Sequence, residues 1–433
     1  MMYHAQQNRP LSDNLMAVID RLLDPTHGLV TSVHEDKPLR QAAGIRIVRT
    51  TVAPPAYFRG NAPSPVKTVE DGYGAAFDRE TAYWAAIGES VERYSASIYW
   101  PDHFIVATAR ALGARAVAMA PLIRVARPET CAFDPDSARA WMEGVDLATG
   151  EAGLVPAMLC YLGYRSQYPG EVIAQSDSTG LACATSFDDG CKRGLCEVIE
   201  RDAFAANWLL NRQPPVMTFT AADIAGFPAA VAAALTDNNL SIRLLHVAKS
   251  FGVHVVMAFV SDGVSLCSIG AAASPSLRRA VEKATAEVLQ GWSAVNAFPV
   301  LTEPLTLEGL KTPFDQLRYY MHAERLPLLE AMCGGSEAAA FGDLCAGDQP
   351  DMTARDIARH LTADGFQAAA ADLSTSDVSE LNFTVVRVIV PGLQPLVFGP
   401  ASVQVPDQRR LDQWRSVWGI AGSALNPHPH PFP

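Results

Sequence analysis

Apolar and polar positions alternate along this chain with two different periods. From Leu15 to Leu23 the apolar residues return at helical spacing, and Asp24-Pro25 closes the run, which predicts a helix near the start. Ile45 to Val52 is rich in β-branched residues and stops at Pro54-Pro55, the pattern of a strand. Arg59 to Gly72, with Pro63 and Pro65, reads as loop. Asp78 then stands as the N-cap of a helix running to about Ser97. Leu154 to Tyr164 reads as a buried strand, and Gln175 to Thr185 as a polar, glycine-containing loop. Ser186 and Asp189 make a variant capping box, aspartate replacing the usual glutamate, that opens a helix over about 187 to 210. Beyond Pro214, Ser241 to Val247, Val253 to Val260 and Phe383 to Val390 read as strands, and Pro275 to Trp292 as a long helix. Strands and helices interleave, so the expected class is a mixed α/β or α+β fold. No linker or charge run divides the chain, which favours one composite domain. The organisation expected is an N-terminal helical segment (1–40), a main domain (41–400) and a C-terminal segment (401–433).

Composition narrows the function more than the fold. With 433 residues, 49% hydrophobic and 18% charged, the chain is an ordinary globular protein with room for a large core. Its net charge of −12 argues against holding nucleic acid through phosphates. No signal peptide is visible and no apolar stretch is long enough to span a bilayer, so a cytoplasmic location is expected. The eight cysteines form no CxxC pair, and reads as small buried hydrophobes fit them better than metal or redox roles.

One short pattern occurs twice. Glu89-Ser90-Val91-Glu92-Arg93 is echoed by Glu197-Val198-Ile199-Glu200-Arg201, each copy inside a predicted helix. Residues at i, i+3 and i+4 share a helix face, so each copy presents two carboxylates and a guanidinium together. Two readings are open for such a face. One is a solvated surface with Glu–Arg pairs of a few tenths of a kcal/mol. The other is a nucleotide–magnesium site: Mg²⁺ takes carboxylates plus nucleotide phosphates, and arginine grips phosphate oxygens by its planar fork. Two such faces placed opposite each other would gather four carboxylates. The hydroxyls and glycine of Ser178-Thr179-Gly180, with Thr185, precede the second helix N-terminus, where anions are favoured. There is no GxxxxGK[ST] loop, no GxGxxG after a strand, no HExxH and no GxSxG, so any use of ATP lacks the common cradles.

The blocks STGLACATSFDDGCKRGLCEVIERDAF and GAAFDRETAYWAAIGESVERYSA resemble the YcaO family of ATP-dependent peptide-modifying enzymes. Leu154-Val155-Pro156-Ala157 and Val390-Pro391-Gly392 extend the resemblance over roughly residues 40 to 400. It implies a YcaO-like composite fold with nucleotide between helices. By that resemblance Glu89, Glu92, Glu197 and Glu200 would hold Mg²⁺ on ATP, and Arg201 and Arg93 would contact phosphate or lock the carboxylates. Ser178, Thr185, Asp189 and Lys283 would belong to the nucleotide site. Asp189 stands where the family usually has glutamate, Thr185 where asparagine is common, Ala85 where serine is common, and Lys283 where arginine is usual.

The chain ends Asn426-Pro427-His428-Pro429-His430-Pro431-Phe432-Pro433, which excludes a helix and favours an extended tail. Such a tail is either a disordered end or a stiff segment that docks at little entropic cost. It resembles the PxPxP ending of the azoline-forming branch, directed at the active site. The implied activity is therefore a cyclodehydratase that turns Cys, Ser or Thr of a ribosomal precursor peptide into thiazoline or oxazoline, with ATP activating the amide oxygen. Arg201 would serve the transferring phosphoryl, and the Pro433 carboxylate is a candidate base. The resemblance also implies an E1-like (ocin-ThiF-type) leader-binding partner, a flavin dehydrogenase in the same complex, and a homodimer. Two rival readings stand beside it: peptide or protein thioamidation, and a non-catalytic YcaO-like scaffold subunit.

Overall fold

In the computed structural model, the residues described are 10–37, 44–53, 71–117, 132–174, 177–237, 239–297, 303–310, 312–335, 337–396, 406–422 and 424–432. The fold is mixed α/β, built on three sheets. The first runs β1 (Val30–Asp36), β2 (Arg46–Val52), β3 (Gly72–Ala76), all antiparallel. The second joins β4 (Ile105–Thr108), β5 (Ala138–Asp146), β13 (Ala369–Asp372), β14 (Thr384–Ile389) and β7 (Leu181–Ala184) in that order, with β6 (Ala152–Pro156) also pairing β5. The third runs β11 (Cys267–Ser274), β10 (Val253–Ser261), β9 (Arg243–Ser250), β8 (Val216–Thr218), β12 (Ala338–Ala340). The helices that matter below are α1 (Asp13–Leu22), α2 (Arg79–Ser95), α3 (Phe187–Leu209), α4 (Leu277–Val295), α5 (Pro313–Arg318) and α6 (Gln408–Trp418).

Local chemistry explains the helix starts. Asp78, Ser186 and Ser276 each accept a main-chain N–H of the first helical turn, from Thr81, Asp189 and Arg279. The box at Ser186 takes a different form from the one expected: its hydroxyl donates to Asp189 Oδ2 at 3.1 Å. α1 inserts Leu15, Ile19 and Leu22 into the core that also holds Ile87 and Val91 of α2. α3 is buried along most of its length and touches strands of two sheets, β7 and β14 on one side and β9, β10 and β11 on the other.

Three sequence readings change. The strand expected from Leu154 to Tyr164 stops at Pro156, and Ala157–Cys160 forms a helical turn; Pro156 brings no N–H, and the residues after it favour helix. The loop expected up to Thr185 contains β7, four small or apolar buried residues paired to Thr384–Arg387 of β14; a distant strand, not local propensity, makes it. Gly72, expected to end a loop, opens β3 with Tyr73 and Gly74. A Cβ at Gly74 would lie 2.0 Å from Ala82 O, because α2 rests directly on this strand. Most of the loop expected from Arg59 to Gly72 lies outside the described residues.

Candidate nucleotide site

The three sheets end at one place. Among the described residues β3, β7 and β11 are the terminal strands of their sheets, and each is followed immediately by a helix, α2, α3 or α4. Each helix also packs on the strand of the next unit, α2 on β7, α3 on β11 and α4 on β3, which closes a ring. In each helix one glutamate sits eleven residues after the N-cap: Glu89 after Asp78, Glu197 after Ser186, Glu287 after Ser276. Each reaches back to a main-chain N–H at its own strand. Tyr73 donates to Glu89 at 2.7 Å, Gly180 to Glu197 at 3.1 Å and Ala271 to Glu287 at 3.2 Å. A terminal strand has N–H groups with no ladder partner, and these carboxylates take them.

The remaining groups gather around that ring. Glu92 neighbours Glu197 and Glu89, and Glu200 neighbours Glu287 and Glu197. Burial pushes the Glu92 carboxyl up to about 8, with Glu197 adding to it, and the Glu287 carboxyl up to about 7. Burial also raises Glu197, and raises Glu200 well above the usual carboxylate range with Glu287 adding to it. Four cations stand among them. Arg93 donates to Glu89 at 2.8 Å, Arg201 Nη2 lies 3.5 Å from Glu197, Lys283 offsets Glu200 and Glu287, and Arg387 offsets Glu92 and Glu197. Arg387 also donates to Asp177 O at 2.6 Å and so holds the loop that presents Gly180.

These residues fit magnesium and nucleotide. The acidic donors are all carboxylate oxygens, hard ligands of the kind Mg²⁺ takes, and the crowding of Glu92, Glu197, Glu200 and Glu287 leaves negative charge that a divalent cation would offset. Arg201 Nε and Nη1 are buried with no hydrogen-bond partner among the described residues, as are two guanidinium nitrogens each of Arg139 and Arg415; what sets Arg201 apart is its place beside the carboxylates. The carboxylates form a row and do not meet at a point. Among the described residues no three His, Cys, Asp or Glu side chains are placed to hold one metal ion together. Mg²⁺ is commonly bound by one or two carboxylates plus substrate phosphates, which a row supplies better than a cage.

The residues singled out in the sequence divide accordingly. Glu89, Glu92, Arg93, Glu197, Glu200, Arg201 and Lys283 come together, and Ser178 lies in the loop next to Asp177. Thr185 and Asp189 do not join them: both are exposed at the N-terminal end of α3, and Asp189 is occupied in its cap. Eight helical residues, about 12 Å, separate Asp189 from Glu197. Pro433 lies outside the described residues. Sequence reasoning missed Glu287, Asp177, Arg387 and Phe432. The spacing from Ser276 to Glu287 was the available signal, hidden because the third helix continues Glu287-Val288-Leu289-Gln290-Gly291 without the second glutamate and arginine. The seven described cysteines are all free, six of them buried.

The family model of YcaO cyclodehydratases, described as ATP- and Mg²⁺-binding, matches residues 73–394. The chain belongs to the YcaO family. ATP and Mg²⁺ are accordingly its cofactors. A curated relative, an uncharacterized protein in the tfuA 3′ region of Rhizobium leguminosarum bv. trifolii, is 29% identical over 356 residues, 75% of this chain and 77% of the relative. A heterocyclase solved in complex with substrate and cofactor superposes with a TM-score of 0.76 at 17% identity, over 99% of this chain. The chain spans 58% of that heterocyclase. The YcaO protein of Methanopyrus kandleri, bound with AMPPCP and Mg²⁺, gives a TM-score of 0.62 at 20% identity, over 92% of this chain and 94% of the other. At these identities the structural likeness is one of fold. No helix among the described residues is long and apolar enough to cross a membrane.

Proposed function

We propose that this YcaO protein is an ATP-dependent peptide cyclodehydratase. It would form thiazolines or oxazolines from Cys, Ser or Thr residues of a ribosomal precursor peptide. The observation that carries the reading is the crowding of Glu92, Glu197, Glu200 and Glu287, with Glu200 itself buried, beside Arg201 donors that have no hydrogen-bond partner among the described residues. ATP with Mg²⁺ supplies the phosphoryl group that converts the peptide amide oxygen into a leaving group after side-chain attack. Glu89, Glu92, Glu197, Glu200 and Glu287 hold the metal-bearing phosphates in place. Arg201 offers Nε and Nη1 to phosphate oxygens, and Lys283 and Arg93 balance the charge. Such a site works by positioning and by fixed charges aimed at the transferring group. The family resemblance supports residues 41–400 as the catalytic domain, an E1-like partner that grips the leader, a flavin dehydrogenase acting afterwards, and a homodimer. Pro433 stays a proposed catalytic residue; Phe432, its neighbour, lies at Arg201.

The test is product mass after incubation with MgATP, a candidate Cys/Ser/Thr-rich precursor from an adjacent gene and its partner protein. Cyclodehydration removes one water per ring and releases phosphate. A mass gain from oxygen-to-sulfur exchange would turn the reading to thioamidation, and no ATP consumption with any peptide would turn it to a scaffold. Glu200→Gln is expected to abolish turnover while the protein stays folded.

A further inference from the structure

Residues 426–432 are bound in a slot between α3 and α5. Asn426, His430 and Phe432 are 9, 2 and 7% exposed. Asn426 N–H donates to Leu209 O at 2.8 Å, and then three successive main-chain carbonyls are taken by side-chain donors. Trp208 Nε1 donates to His428 O at 3.0 Å, the Tyr320 hydroxyl to Pro429 O at 2.6 Å, and Gln316 Nε2 to His430 O at 2.9 Å. These donors read the main chain and so fix its register. The prolines between them suit burial, since residues 427, 429 and 431 bring no N–H that the slot would have to satisfy. The register delivers Phe432 onto Arg201, with the ring centroid 4.3 Å from Cζ, while Phe204 meets the same ring edge-on at 5.2 Å.

The chemistry of that contact is specific. A guanidinium has donors only in its plane, and an aromatic ring attracts it through the face. Phe432 therefore holds the plane of Arg201 without using any of its N–H groups. Glu197 engages one edge loosely, and Nε and Nη1 have no hydrogen-bond partner among the described residues. We propose that Phe432 is a positioning residue for Arg201, set in register by the carbonyl anchors Trp208, Tyr320 and Gln316, so that the open edge of the fork faces the nucleotide phosphates. The inference rests on the reading of Arg201 as a phosphate contact.

Calorimetric titration of the full-length protein with MgAMPPCP tests it without any substrate peptide. Phe432→Leu keeps an apolar side chain but no aromatic face, and is expected to weaken binding by about 3- to 30-fold, the range of a partly to fully desolvated cation–π contact. Phe432→Trp should restore wild-type affinity. Tyr320→Phe removes one anchor far from the phosphates; it should weaken binding in the same sense and add little on top of Phe432→Leu. Wild-type affinity in Phe432→Leu, with Arg201→Ala weakened, would overturn the positioning role alone. Wild-type affinity in Arg201→Ala would overturn the phosphate reading beneath it, and the proposal with it. Melting temperature is followed in parallel, and a loss of affinity in Phe432→Leu that Phe432→Trp does not rescue also counts against the proposal.

Discussion

α2 and α3 carry the same motif in different surroundings. In α2, Arg93 closes on its own glutamate at 2.8 Å; in α3, Arg201 stays 3.5 Å from Glu197 and is held through its face by Phe432. The residue after each arginine differs as well. Tyr94 donates its hydroxyl to Asp377 at 2.7 Å. Asp202, fully buried, takes a bidentate pair from Arg410, the indole N–H of Trp414 at 3.1 Å and the Gln394 N–H at 2.7 Å. Identical spacing thus yields a closed ion pair in one copy and an open fork in the other. What lies around a motif decides which of its donors remain for a ligand.

The largest expected difference between the copies is in stability. Asp202→Ala strands the Arg410 charge inside α6's contact with α3 and should cost about 3–5 kcal/mol, read as a denaturant midpoint against wild type. An unchanged midpoint would show that the two anchors are equivalent surface ties. Next comes the contrast of the arginines. Arg201→Ala should lower ATP turnover by about 10²–10³-fold, as removal of one fixed donor does, and Arg93→Ala by clearly less; equal losses would erase the distinction between closed and open pairs.

The pH dependence follows from Glu92. Its carboxyl moves from an ordinary 4.5 to about 8 in the folded protein, chiefly by burial. A raised value means that the protonated form is favoured by folding, so this stability is whole below 4.5 and is lost as pH rises through about 8. Buried His246, lowered from 6.5 to about 4 chiefly by burial, works in the opposite sense, but only below 6.5. Between pH 6.5 and about pH 8.5 the metal-free protein should therefore lose melting temperature, and the rise given by MgAMPPCP should grow. Glu92→Gln should flatten the trend; the same rise at both ends of the window in wild type would refute it. The smallest effect is expected for Tyr94→Phe, about 1 kcal/mol for one hydrogen bond, against the far larger cost at Asp202.

Much of the site could be read from sequence because its signals are local. The N-caps Asp78 and Ser186 and the helical phases of Glu89/Glu92/Arg93 and of Glu197/Glu200/Arg201 are each set by residues a few positions apart. β3 and β7 could not be read so, and the third glutamate had only its spacing from Ser276 to mark it. The pairing of Leu181–Ala184 with Thr384–Arg387 and the contact of α4 with β3 join residues some 200 apart in the chain. Asp189 stands apart from the carboxylates, two helical turns from Glu197, and shares the cap at Ser186.

The ring of three terminal strands has a consequence for growth of the sheets. An unsatisfied strand edge invites another chain to add to it. At Tyr73, Gly180 and Ala271 that invitation is answered by Glu89, Glu197 and Glu287. The side chains proposed for the nucleotide site are therefore also stoppers, and shortening one to alanine opens a seam where a foreign strand can start to zip. Purified Glu→Ala proteins of this design are expected to lose solubility along with activity, and the Glu→Gln forms, which still accept the edge N–H, to separate the two.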